Sequence, residues 1–145
     1  MAIVAVTLGG KWCSQILDSS VNSDAYINFL QSMHKKFVHQ RHSLPWKNTV
    51  LIHDNARPHV SPQTQNFFVV KNVTLWKQPD FNLLDRWIFS YLESQRNNIH
   101  FDNKNDLDDF LHSALNSIPK SAFQEEYNRL KLDLKRVIDN SEAYC

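Results

Sequence analysis

The chain has 145 residues, of which 42% are hydrophobic and 12% aromatic, as expected for a single domain with a buried core. Its two glycines and five prolines exclude a linker or a low-complexity protein, and no apolar run reaches the roughly 20 residues of a membrane span. With a formal net charge of +1, the chain lacks the excess of basic residues that a self-sufficient DNA-binding module carries. If the protein binds nucleic acid, most of the affinity is expected to come from outside these residues.

The first half of the chain is predicted to begin with a hairpin and a helix. An apolar run at residues 2–8 and an alternating run at residues 11–17 flank Gly9-Gly10, a pattern typical of two strands joined by a tight turn. Ser23 is the predicted N-cap of the helix that follows. The apolar positions of this helix recur at the helical period: Tyr26, Ile27, Leu30, Met33 and Phe37.

The next segments are predicted to alternate between strands and a helix. The apolar run at residues 49–52 is typical of a short buried strand. Ser61 and Pro62 fit an N-cap followed by proline at the first helical position, which predicts a helix to about Lys71. Residues 73–76 are predicted to form the next strand.

Three helices are predicted in the remainder of the chain. The first begins at Asp80 or Asn82, the second ends at Pro119, and the third opens with a capping box at residues 121–124. Their predicted apolar faces comprise Leu83, Leu84, Trp87, Ile88, Tyr91 and Leu92; Leu107, Phe110, Leu111, Ala114, Leu115 and Ile118; and Phe123, Tyr127, Leu130, Leu134, Val137 and Ile138. The resulting order, β-β-α-β-α-β-α-α-α, predicts an α/β domain with a mixed sheet flanked by helices.

Two acidic residues are placed where metal chemistry could use them. Asp54 follows the strand at residues 49–52 and is expected at its carboxyl end, where α/β folds place their sites. Asp85 lies in the first turns of the helix predicted to begin at Asp80 or Asn82. Two-metal phosphoryl transfer needs carboxylates that converge from different elements. The residues alone leave plainer alternatives open: Asp54 as a turn residue, Asp80 as an N-cap, and Asp85 as a solvated helix residue.

Two motifs carry a resemblance to a known family. Residues 52–59, Ile-His-Asp-Asn-Ala-Arg-Pro-His, resemble the HDNA-x-x-H motif around the second acid of mariner-type DDE transposases. Residues 79–85, Pro-Asp-Phe-Asn-Leu-Leu-Asp, resemble the SPD-L-x-x-x-D motif that contains the third. Residues 9–11, 21–26 and 129–145 are similar to the family's hairpin, helix start, and final helix and tail, so the resemblance covers nearly the whole chain.

The resemblance implies a fold, a cofactor and a partner. It implies that residues 1–145 form an RNase H-like catalytic domain lacking the family's first strand, without the helix-turn-helix region that recognises transposon ends. By carry-over, Asp54 and Asp85 are expected to be catalytic residues that bind Mg²⁺ (or Mn²⁺) for DNA cleavage and strand transfer. It further implies DNA (transposon ends and target) as the partner, a possible homodimer and a nuclear location, without a membrane or a small-molecule substrate.

The sequence departs from the family's pattern in two ways. The family's first catalytic acid lies on a strand before the hairpin, whereas this sequence begins inside the hairpin. The interval from Asp54 to Asp85 is also a few residues shorter than the family's, which indicates a small deletion in the loop that aims Asp85. We therefore expect an incomplete copy that is inactive as an isolated chain. The alternatives are a non-catalytic, domesticated or decayed remnant that binds nucleic acid or protein, and an unrelated hydrolase or binding domain.

The histidines are interpreted as structural. His34, His39 and His42 form a loose cluster near a predicted helix end, but a zinc site needs about four well-placed ligands and no cysteine joins them, so the cluster is assigned to the surface. His53 and His59, which flank Asp54, are expected to form hydrogen bonds or to pack rather than to bind metal.

Overall fold

A computed structural model describes residues 1–38, 46–76 and 82–142; in the last helix, the side chains of residues 134, 137, 138 and 140–142 fall outside the description. The chain divides into two compact units, one formed within residues 1–5 and 12–82 and the other within residues 6–11 and 83–145. Asp80, His39 and His42 lie outside the described residues. In the described part of the chain, no helix is both long and apolar enough to cross a membrane.

The predicted hairpin is confirmed. Strands β1 (Ala2–Val6) and β2 (Trp12–Ile16) pair with each other. Hydrogen bonds close both ends of the hairpin: Thr7 N–H donates to the Lys11 carbonyl at 2.7 Å, and Leu17 N–H donates to the Met1 carbonyl at 2.7 Å. Gly10 adopts a positive φ of 75°, a conformation that glycine reaches without steric cost.

The two predicted strands of the middle segment also pair. Strand β3 (Val50–Ile52) lies parallel to β4 (Thr74–Trp76), with Leu51 opposite Leu75 and Ile52 opposite Trp76. The mixed α/β class is therefore confirmed. Among the described residues, however, the strands form two separate two-stranded sheets, β1–β2 and β3–β4, rather than one continuous ladder.

Helix α1 (Ser23–Val38) begins one residue earlier than predicted and has a different cap. The side chain of Asn22 accepts a hydrogen bond from Ala25 N–H at 2.8 Å, which satisfies one of the amide groups left unpaired at a helix start. The hydroxyl of Ser23 instead donates to Ser61 Oγ at 2.8 Å. The prediction of Ser23 as N-cap was wrong, because Asn22 supplies the capping oxygen and frees the serine for a contact with the next helices.

The predicted cap at Ser61 is confirmed. A short helix, α2 (Arg57–Val60), precedes α3 (Pro62–Lys71), and Ser61 Oγ accepts a hydrogen bond from Thr64 N–H at 3.2 Å. Pro62 occupies the first turn of α3, where its missing N–H leaves nothing unsatisfied. Asn72 ends α3 in the left-handed conformation, as residues at helix C-termini often do.

The first unit has its apolar core between the strands and helices α1 and α3. The buried members of the core are Cys13, Tyr26, Phe29, Leu30, Met33 and Phe68. Ile3 and Ala5 of β1 pack against this cluster, as do Leu51 of β3 and Leu75 of β4. Burial also raises the pKa of the Cys13 thiol above its ordinary value, although the nearby charge of Lys36 opposes this.

The second unit consists of helices around its own buried side chains. Its elements are a π-helical turn (Leu84–Ile88), α4 (Phe89–Arg96), α5 (Lys104–Ser117) and α6 (Lys120–Glu142). Asn103 caps α5 through a hydrogen bond from Asp106 N–H at 3.0 Å, and α5 ends at Ser117, two residues before the predicted end at Pro119. The buried side chains are Leu83, Ile88, Leu92, Leu111, Ala114, Leu115, Ile118, Phe123 and Leu130.

Candidate metal site at the end of the parallel strands

Asp54 lies two residues beyond β3, in the segment between this strand and α2. Because β3 and β4 run parallel, their carboxyl ends meet at one edge of the sheet, the edge at which α/β folds bind ligands. The side chain of Asp54 is 48% exposed. It therefore lies at the strand end predicted from the sequence, with a carboxylate that solvent can reach.

The carboxylate of Asp54 is held through one of its two oxygens. Oδ1 accepts a hydrogen bond from Ala56 N–H at 3.0 Å and lies 2.6 Å from Nδ1 of His59. Neither contact uses Oδ2. The first bond is the local turn contact typical of aspartate, so the turn interpretation is correct as far as Oδ1 is concerned. The turn contact thus leaves Oδ2 outside the two hydrogen bonds of this carboxylate.

His59 is held in turn by the aromatic ring of Tyr26. The two ring centroids are 4.1 Å apart with an interplanar angle of 37°, and the ring of His53 lies 4.9 Å from that of His59 in a T-shaped arrangement. Tyr26 is 4% exposed. Its burial and, to a lesser degree, the negative charge of Asp54 raise the pKa of its phenol far above the ordinary value.

Further hydrogen bonds fix the segment that carries these residues. The hydroxyl of Thr64, which is completely buried, donates to the Pro58 carbonyl at 2.6 Å. Gln65 Nε2 donates to the His59 carbonyl at 2.9 Å. The Ser23–Ser61 contact ties the same segment to α1. Residues from α1 and α3 thus hold the segment between Asp54 and Ser61, which contains α2. A binding site needs such support to keep a fixed geometry.

Asp85 lies in the π-helical turn, a feature that the sequence did not reveal. Phe89 N–H donates to the Leu84 carbonyl, which widens the helix by one residue per turn. Such turns are rare and are frequently found at functional sites. The Asp85 side chain is exposed, whereas Leu83 and Ile88 are buried. Asp85 therefore lies on the solvent-exposed side of this turn.

The two predicted ligands belong to different units, Asp54 to the first and Asp85 to the second, so their convergence stays a prediction. His34, the one described member of the histidine cluster, is half-buried and stacks on Trp46 with ring centroids 3.9 Å apart. The assignment of His34 to the surface is therefore only partly correct, because its half-buried ring packs on Trp46.

The donor chemistry at Asp54 fits a hard divalent cation. Mg²⁺ prefers oxygen ligands and is often held by only one or two carboxylates together with water, and Asp54 presents Oδ2 outside both of its hydrogen bonds. Within residues 1–38, 46–76 and 82–142, no group of three or more His, Cys, Asp or Glu side chains is gathered in a way that could hold a metal ion. Asp54 is thus a candidate ligand, and a full site requires a second acid.

Comparisons with known proteins identify the fold. No family model matches the sequence, and no curated protein matches it. Among solved structures, the Mos1 transposase in a paired-end complex with the left transposon end superposes with a TM-score of 0.77 and 15% identity, over 89% of this chain and 39% of that chain. The catalytic domain of Mos1 mariner transposase superposes with a TM-score of 0.71 and 16% identity, over 89% of this chain and 67% of that one.

The Mos1 catalytic domain has also been solved with raltegravir and Mn, and this structure superposes with a TM-score of 0.71 over 68% of its chain. The present chain thus has the fold of the catalytic domain of a mariner transposase, and it spans only about two-fifths of the Mos1 chain in the paired-end complex. The resemblance noted in the sequence is confirmed at the level of the fold.

Proposed function

We propose that the chain is the catalytic domain of a mariner-type DDE transposase and that Asp54 and Asp85 are its second and third catalytic acids. The position of Asp54 carries the proposal: the acid of an HDNA-x-x-H segment stands at the carboxyl end of two parallel strands, with one oxygen hydrogen-bonded and the other outside those bonds. The fold shared with Mos1 supports it.

In this proposal the chain's own residues bind and orient the reacting groups. Asp54 and Asp85 would hold Mg²⁺ or Mn²⁺, which supplies a Lewis acid for phosphoryl transfer and a bound water of lowered pKa. Asp54 contributes an oxygen whose direction its local hydrogen bonds limit, and Asp85 contributes a carboxylate from a widened helical turn. Structures of Mos1 with Mn and with Mg support the choice of cation.

The wider features follow as parts of the same proposal. We expect β1–β2 and β3–β4 to belong to one RNase H-like mixed sheet. DNA is the proposed partner, which the Mos1 complex with a transposon end supports. A homodimer and a nuclear location are further parts of the proposal. The activity that this fold would support is DNA cleavage and strand transfer, and residues 1–145 as an isolated chain are proposed to be inactive.

A second candidate function is a non-catalytic remnant that retains contacts with nucleic acid or protein. The observation that favours it is the lack, among the described residues, of a gathered set of three metal-binding side chains. The two candidates differ in what they require of Asp54. The first requires that its carboxylate bind a divalent cation, whereas the second places no such requirement on it.

Manganese-induced line broadening in NMR spectra separates the two candidates. If Asp54 and Asp85 bind a common cation, Mn²⁺ will broaden the amide signals around both residues at the same concentration, and Asp54→Asn or Asp85→Asn will weaken the broadening at both. Asp24→Asn is the matched control, because Asp24 is an acid of the first unit that accepts a hydrogen bond from Gln63 and has no proposed role. Broadening that is unchanged by Asp54→Asn would reject the transposase site.

A further inference from the structure

One oxygen of Asp54 is occupied twice. Oδ1 lies 2.6 Å from His59 Nδ1 and 3.0 Å from the amide nitrogen of Ala56. An ionised carboxylate only accepts hydrogen bonds, so the proton between Asp54 and His59 belongs to Nδ1, which donates it. The short distance is typical of a hydrogen bond to a charged acceptor. These two donors fix the rotation of the carboxylate.

The imidazole of His59 is itself fixed on several sides. Its ring lies against the buried ring of Tyr26, with centroids 4.1 Å apart, and only 19% of its side chain is exposed. Its backbone N–H donates to the Ala56 carbonyl at 2.8 Å, and its carbonyl accepts from Gln65 Nε2 at 2.9 Å. Turning the ring away from Asp54 would disrupt its packing on Tyr26.

We propose that His59 is a positioning residue for Asp54. Its imidazole binds Oδ1 of Asp54, so that Oδ2 is the oxygen presented to a divalent cation. The ring of Tyr26 supports this imidazole. This inference rests on the proposed function, since it assigns how the second acid of that site is aimed. The histidine of the segment thereby has a role that does not involve binding the metal.

The physical consequence concerns the cost of ordering the ligand. The last torsion of an aspartate side chain is broad and roughly two-fold, so an unsupported carboxylate samples many directions and offers either oxygen. The hydrogen bond from His59 removes this freedom before any cation binds. Hydrogen-bond partners of metal ligands commonly contribute a factor of about 10–100 in metal affinity, and we expect an effect of this size here.

Two substitutions of His59 separate the hydrogen bond from the ring. His59→Phe keeps an aromatic ring against Tyr26 but has no donor. His59→Asn loses the ring but places an amide N–H close to the position of Nδ1. Asp54→Asn removes the proposed ligand itself. Mn²⁺ affinity is measured for the four proteins by electron paramagnetic resonance, and unfolding by urea is measured in parallel to confirm that each variant is folded.

The expected order of Mn²⁺ affinity distinguishes a positioning role from a packing role. We expect His59→Phe to weaken binding by about tenfold or more, His59→Asn to retain most of the affinity, and Asp54→Asn to abolish binding. The side-chain ¹³C signal of Asp54 in the metal-free protein should shift in His59→Phe and shift less in His59→Asn, a signature that loss of packing alone would not produce.

Three results would overturn the proposal. If His59→Phe binds Mn²⁺ as the unsubstituted chain does while Asp54→Asn does not bind, His59 has no positioning role and the proposed function stands. If both substitutions of His59 weaken binding equally, the ring rather than the hydrogen bond is responsible. If Asp54→Asn binds Mn²⁺ as tightly as the unsubstituted chain, or if the unsubstituted chain binds no Mn²⁺, both the inference and the proposed function are wrong.

Discussion

The ring of Tyr26 packs on the ring of His59, with centroids 4.1 Å apart, and thereby connects the apolar core of the first unit to the carboxylate of Asp54. Tyr26 belongs to the buried cluster on α1, whereas His59 lies on α2 and contacts Asp54 directly. The candidate ligand is therefore supported by the core through a single intervening side chain.

The ring of Tyr26 should matter more to stability than its hydroxyl. We predict that Tyr26→Ala lowers the free energy of unfolding by about 3–5 kcal/mol, the usual cost of removing a buried aromatic side chain. Tyr26→Phe, which keeps the ring, should cost under about 1.5 kcal/mol. Urea denaturation followed by circular dichroism measures both. Equal losses in the two variants would show that the hydroxyl, and not the packing, is responsible.

The raised pKa of Tyr26 predicts a dependence of stability on alkaline pH. Burial, with a smaller contribution from the negative charge of Asp54, raises the pKa of the Tyr26 phenol in the folded protein. The pKa of an unfolded tyrosine is about 10. The stability gained by keeping the phenol neutral is fully present below about pH 10 and is lost as the pH rises towards the folded pKa.

The difference in unfolding free energy between the unsubstituted chain and Tyr26→Phe isolates this effect, because the remaining tyrosines cancel. This difference should be constant below about pH 10 and should fall above it. A difference that stays constant or rises at alkaline pH would contradict the assignment.

The turn of the hairpin offers a matched pair of glycines. Gly10 has a φ of 75°, and a Cβ atom there would lie 3.0 Å from Cδ2 of Phe123. We predict that Gly10→Ala destabilises the protein by about 1–2 kcal/mol, the cost of a left-handed conformation for a residue with a Cβ. At Gly9 the nearest atom would be Thr7 Oγ1 at 3.9 Å.

Gly9→Ala should therefore change the free energy of unfolding by less than about 0.5 kcal/mol. Thermal or urea denaturation of the two variants measures the contrast. Similar losses at both positions would mean that Gly10 does not require its conformation and that Phe123 accommodates the added methyl group.

Residues 1–145 by themselves are predicted to show no DNA cleavage or strand transfer with Mg²⁺ or Mn²⁺. Two carboxylates can hold one hydrated cation, but a second ion needs a further acid to fix it, and the two motifs assign this role to Asp54 and Asp85 alone. Losing one such stabilising group commonly costs a factor of about 10²–10³ in rate. A plasmid nicking assay with Asp54→Ala as control tests this. Metal-dependent nicking that Asp54→Ala abolishes would show that another acid completes the site.

Elements with strong local signals could be predicted from the sequence. The glycine pair predicted the hairpin, Ser61-Pro62 predicted the start of α3 to the residue, and the apolar runs predicted strands β3 and β4, whereas their parallel register comes from the structure. These features depend on backbone conformation and side-chain periodicity within short segments, and both can be read from the sequence alone.

Features that depend on competition between neighbours could not be predicted. Asn22 rather than Ser23 caps α1, because both residues offer an oxygen and only the packing of Ser23 near Ser61 decides between them. The π-helical turn at Asp85 has no local sequence signal, since it depends on where the helix packs. A contact of His59 with Asp54 could be anticipated, because the two residues are five positions apart across a turn, but its 2.6 Å geometry could not.

The most direct test of the proposed site is an anomalous difference map from crystals of the chain soaked in Mn²⁺. The account predicts a manganese peak bonded to Oδ2 of Asp54 and to a carboxylate oxygen of Asp85, while Oδ1 of Asp54 keeps its hydrogen bond to His59. A peak at other residues, or carboxylates of Asp54 and Asp85 that point to opposite faces of the domain, would contradict it, and Asp80 would then be the next candidate for the third acid.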